Sequence, residues 1–171
     1  MAVAGRKTAK SKSVKAAPSR AAFLSDQLNR AYVADPWHGE SLKQLLNGVT
    51  AAQAAAHPVK GAHSIWELVL HATAWVEIPL CRMDGETINE YTYEQDWPSP
   101  DGANEAGWKA ALQRLDSAFA QAVNRVAKMS DAALDARIPG KDYSAEFQIL
   151  GILQHTAYHA GQMGMLKKEL K

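Results

Sequence analysis

Cysteine is almost missing from this chain: Cys81 stands alone in 171 residues. No disulfide can close within it, so a disulfide-stapled secreted scaffold is excluded and a reducing, cytoplasmic setting is the expectation. Long apolar runs are missing too. Glu67, His71 and Glu77 interrupt the best stretch, which therefore falls short of the ~18 to 20 residues a spanning helix needs. No membrane partner is expected, and the first residues lack the apolar segment of a secretory leader. Strand-like alternation is scarce, which argues against a sheet.

Acids are absent from residues 1–20, which carry Arg6, Lys7, Lys10, Lys12, Lys15 and Arg20. The net charge of +1 therefore conceals a basic tail joined to a body with 13 basic and 18 acidic residues. Built largely from Lys, Ala, Ser and Pro, the tail is too polar to bury a core. Residues 1–20 are expected to be disordered and residues 21–171 to form one domain. Weak contact with nucleic acid is the most that charge allows, since no aromatic is interleaved to stack on bases.

Helical periodicity is what the body does have. Phe23, Leu24, Leu28, Ala31 and Tyr32 predict a helix over 21–33, broken by "ADPWHG". A short helical piece follows over 40–48, and Thr50 with Gln53 resembles a capping box. The second long helix should start near Ser64 and carry Ile65, Leu68, Val69, Ala72, Val76 and Leu80, with Pro79 disturbing its last turns. "GETINEYTYEQDWPSPDG" reads as a long irregular connection, before a third helix over 104–129 and a fourth over 145–170. Four long helices, each with an apolar stripe, predict an all-α four-helix bundle. A connection that long permits a crossover leaving the second and third helices parallel.

The chemistry concentrates in "ILQHTAYHAGQMGML". At about 100° per residue, His155 and His159 share one face of the helix and lie ~6 Å apart along it. Two imidazoles so placed can chelate one metal ion; equally, they can be hydrogen-bonded core or surface residues. Tyr158 and Gln162 lie close to the same stripe and are candidate ligand-binding residues. A zincin is excluded, because Thr156 stands where such a motif needs Glu.

A third ligand should come from the middle of a facing helix, and His71, between Leu68 and Trp75, fits best. Three neutral imidazoles would leave a position open for water or substrate. Glu67, one turn earlier, is either a base orienting that water or a solvated helix residue. Trp37 and His38 sit in the break after the first helix, where they can wall a pocket; packing alone also explains Trp37. His63 reads as a capping or exposed residue and His57 as solvated. Cys81 lies about 15 Å along the axis from His71, too far to share its metal, and reads as buried and inert. Trp66, Trp75, Trp97 and Trp108 read as core or lid residues.

The segments "PWHGESLKQLL", "HSIWELVLHATAW", "DWP" and "HTAYHAGQM" together resemble the DinB/YfiT-like superfamily of metal-dependent enzymes, in the same order and over roughly residues 21–170. The resemblance implies a bundle in up-down-down-up order and a metal triad of His71, His155 and His159. It also implies a homodimer, and a reaction class in which some relatives are thiol-dependent S-transferases or isomerases using bacillithiol, mycothiol or glutathione. Zinc and nickel head the implied metals, with iron and manganese also accepted by imidazole. A hydrolase acting through metal-bound water follows from the same chemistry. The other reading is a helical metal-binding module associated with stress, without catalysis.

Overall fold

Each helix begins where a short polar side chain can replace a missing backbone partner. In the computed structural model, which describes residues 17–171 apart from 101 and 103, Ser19 caps α1 (Arg20–Tyr32) and Ser41 caps α2 (Leu42–Leu46). Thr50 caps α3 (Ala51–Ala55), Ser64 caps α4 (Ile65–Met83) and Thr92 caps α5 (Tyr93–Asp96). Asn104, Ser130 and Ser144 do the same for α6 (Glu105–Val126), α7 (Asp131–Asp135) and α8 (Ala145–Glu169). At α2, α3, α4 and α5 a Gln or Glu three places on returns the hydrogen bond to the cap, closing a capping box. One such cap contributes about 1 kcal/mol.

The long helices are α1, α4, α6 and α8, and no strand occurs among the described residues. Helices α1 and α4 each lie against both α6 and α8. Trp66 meets Trp108, Glu77 meets Arg114 and the Met83 carbonyl meets Arg125, so α4 and α6 run in the same direction. Ser25 bonds the Val123 carbonyl while Tyr32 stacks on Phe119, so α1 opposes α6. Gln148 bonds the Pro79 carbonyl and His155 meets His71, so α8 opposes α4.

Leu24, Leu28, Val69, Leu115, Phe119, Ile149 and Met163 fill the space between these helices. Each such side chain stabilises the fold by about 1.5–3 kcal/mol on burial. Trp66 and Trp108 belong to this core, and the Trp108 indole donates to the Val49 carbonyl at 2.8 Å.

Several expectations need correction. The long connection is not wholly irregular, because α5 forms inside it, and α7 forms in the next. Pro79, expected to disturb the last turns of α4, lies inside the helix, which continues to Met83. Phe23 faces outward rather than into the core. Arg20 is not a tail residue: it opens α1 and pairs with Asp135 at 2.7 Å and with Glu146. The expected disorder of the tail lies, for residues 1–16, outside the described residues.

Candidate metal centre

Antiparallel packing of α4 and α8 brings His71 from the middle of one helix against His155 and His159 from the other. His155 Nε2 lies 3.0 Å from His71 Nε2 and 2.9 Å from His159 Nε2. One ring nitrogen from each of the three falls within 4.8 Å of the others. His71 and His159 are 5% and 4% exposed, so water satisfies little of their bonding capacity.

The far side of each ring decides what the near side can do. His71 Nδ1 donates to the Asp96 carbonyl at 2.6 Å, and His159 Nδ1 donates to Gln162 Oε1 at 2.6 Å. A neutral imidazole has only one N–H. Both rings therefore present an unprotonated Nε2 to His155, whose own Nε2 can carry one hydrogen at most. That hydrogen can serve one of the two contacts; the other sets lone pair against lone pair. A cation at the centre satisfies all three nitrogens, so this donor set fits a metal ion.

Electrostatics favour the same state. Burial lowers the pKa of all three histidines, and His155 is pushed down to about 3 by burial together with His159 and His71. The rings are thus neutral at ordinary pH, as ligation requires.

Aromatic rings enclose the cluster. Trp97 lies flat on His71 with centroids 3.8 Å apart, and His63 stacks on Trp97 at 3.6 Å. The Trp75 indole donates to Asp96 Oδ1 at 2.6 Å, a carboxylate that also lies 3.2 Å from His71 Nδ1. Trp75 and Trp97 thus take the lid alternative, and His63 is a stacking residue rather than a cap.

Of the other sequence-predicted residues, Gln162 is at the site through His159. Tyr158 packs edge-on against His159 at 5.0 Å but is 64% exposed. Glu67 is placed otherwise: its carboxylate accepts from the Ser64 amide at 2.7 Å and from His57 at 3.0 Å. Burial pushes this carboxyl up, but the Ser64 and His57 hydrogen bonds outweigh it and hold the group below its usual range. A carboxylate so stabilised is a weak base, so Glu67 caps α4 instead of joining the imidazoles, and His57 is its partner. Trp37 projects fully into solvent at 102% exposure. His38 lines a separate hollow with Ala157 and Gly161, on another side of α8. Neither walls the site, because the chain break carries them past it. Cys81 keeps its proton, its pKa raised by burial and by the carboxylates of Glu86, Asp84 and Glu77.

Asp96 is the residue that sequence reasoning missed. Its signal was the "DWP" segment, which marks the site's second layer once α5 is seen to carry it there.

The sequence pattern of the DinB superfamily matches residues 34–163, well over half of the chain and inclusive of the three histidines. The chain belongs to the DinB superfamily. No curated protein and no solved structure matches it significantly. Membership agrees with the histidine cluster, which in this DinB protein is set between two long helices and ringed by tryptophans. None of the described helices is long and apolar enough to cross a membrane.

Proposed function

We propose that this chain is a divalent-metal-dependent enzyme acting on a small molecule, with His71, His155 and His159 as the metal ligands. The observation that carries the reading is the convergence of three Nε2 atoms that have too few protons to satisfy one another. The reading takes the four long helices as the superfamily's up-down-down-up bundle. A bound divalent cation would supply Lewis acidity, lowering the pKa of a thiol or water beside it. Zinc or nickel suits an all-imidazole set best, with iron and manganese as alternatives.

The remaining residues have supporting roles in this reading. Asp96 and Gln162 fix the tautomers of His71 and His159, and Trp97 excludes water from one ring face. Within this class the reaction is S-transfer or isomerisation with a low-molecular-weight thiol as cosubstrate. In S-transfer the sulfur bonds to an electrophilic carbon, the leaving group departs with its electron pair, and the thiol proton passes to solvent. An apolar hollow touching His155 supports catalysis. The deep burial of His71 and His159 favours the second reading, a non-catalytic metal-binding module linked to stress.

A homodimer is part of the proposal. Phe147, Leu150, Tyr158 and Met165 form an exposed apolar stripe along α8, of the kind a second copy covers. The cytoplasm is the proposed location, resting on the lone cysteine.

Metal analysis of unsupplemented protein, followed by a screen of thiols against small electrophiles, tests the reading. It requires metal- and thiol-dependent conversion of an electrophile that His155→Ala loses. Stoichiometric metal without turnover for any thiol would favour the module; absence of metal would remove both.

A further inference from the structure

Between α4 and α8, beside the histidines, lies a hollow of about 230 Å³ bounded by Trp75, Pro79, Arg82, Phe147, Gly151 and His155. Tyr143, Gln148 and Ile152 complete its wall. The volume is that of a small organic molecule, since an apolar cavity of ~150 Å³ already holds benzene.

Two polar groups in this largely apolar wall are incompletely matched: one lacks a hydrogen bond and the other a counter-charge. Gln148 is 6% exposed and its amide nitrogen donates to the Pro79 carbonyl at 3.0 Å, but its Oε1 is buried without a hydrogen bond. Arg82 is 3% exposed, and Nε donates to the Ile88 carbonyl at 3.0 Å. The lysine and arginine ion pairs among the described residues engage Arg20, Arg30, Lys43, Arg114 and Arg125, and none engages Arg82. A buried guanidinium without a counter-charge is costly, so such groups are paired in the working state. Arg82 and Gln148 both line the hollow. Trp75 and His155 stand two helical turns away on the same helices, about 10 Å along the groove.

We propose that this hollow binds a small carboxylate with an apolar body about one ring in size. Its carboxylate pairs with Arg82, an O–H or N–H beside the carboxylate donates to Gln148 Oε1, and its far end meets His155. That the ligand is the substrate rests on the metal-enzyme reading; that the hollow selects a carboxylate does not.

Calorimetric titration of the full chain with 3-phenyllactate, its amide and 3-phenylpropanoate tests this. Wild type should bind phenyllactate at least tenfold more tightly than phenyllactamide, and Arg82→Gln should erase that preference. Gln148→Leu should erase the advantage of phenyllactate over phenylpropanoate. Gly151→Leu should abolish binding with Arg82 intact; a Cβ at Gly151 meets no atom within 4 Å, so this variant fills the hollow without disturbing the helix backbone. Chelator-treated wild type should keep the acid-over-amide preference, which separates this proposal from the metal reading. Equal affinity for acid and amide, binding that survives Gly151→Leu, or no binding at all would overturn it. In the last case water joins Arg82 to Gln148.

Discussion

His71 Nδ1 sits 2.6 Å from the backbone carbonyl of Asp96 and 3.2 Å from the carboxylate of the same residue. The carbonyl fixes the tautomer, while the carboxylate adds negative charge behind a ring that would donate to a cation. Loss of a partner of this kind typically costs ten- to a hundredfold in metal affinity, as order of magnitude about 10–100. Asp96→Ala keeps the backbone carbonyl, so its expected effect is at the lower end, about tenfold. Competition with a chromophoric chelator measures it. Because Trp75 donates to the same carboxylate, the variant should also alter tryptophan fluorescence.

Gln162 holds His159 as Asp96 holds His71. Gln162→Leu removes the acceptor at a ring that has no other Nδ1 partner among the described residues, and the Nδ1 proton is then free to move to Nε2. Metal affinity should fall about 10–100-fold. Gln162→Glu, which still accepts from Nδ1–H, should retain most of it. Equal loss in both variants would show that Gln162 acts by packing.

The three histidines are legible in sequence because one helical stripe carries two of them and the middle of a facing helix carries the third. The long helices are legible for a related reason: Ser or Asn precedes each apolar stripe, and Ser19, Ser64, Asn104 and Ser144 do cap them. Beyond the "DWP" signal, the role of Asp96 is hard to read because its main contribution is a backbone carbonyl, which every residue type has, in a segment without periodicity. Trp37 and His38 mislead because a break after a helix shows where the chain turns and not where it goes next. Glu67 carried its own warning. Ser64 followed three places later by Glu is a capping box, and that local pairing takes the carboxylate away from the imidazoles.

Glu67→Gln should therefore preserve the cap and leave metal content unchanged. Ser64→Ala, at a fully buried cap, should lower stability by about 1–2 kcal/mol in denaturant unfolding. A large loss of metal or turnover in Glu67→Gln would return this residue to the catalytic machinery.

Acid should destabilise the metal-free protein. His155 is held at about 3 against an ordinary 6.5, so below pH 6.5 the unfolded chain binds a proton that the folded chain refuses. Stability from this group is complete above pH 6.5 and is lost as pH falls from there towards 3. The directions at His71 and His159 add in the same sense. Urea unfolding of chelator-treated protein should show stability rising with pH across this window, with a weaker slope in His155→Ala.

The central claim is that His71, His155 and His159 together hold a metal ion, and thermal unfolding with and without chelator tests it most directly. Free metal at about a hundred times its dissociation constant stabilises a folded site by roughly 2.7 kcal/mol. Wild type should lose that increment on chelation. His71→Ala, His155→Ala and His159→Ala should each lack it, and His57→Ala, paired with Glu67 away from the cluster, should keep it. Equal metal content and an equal chelator response in wild type and His155→Ala would contradict the account.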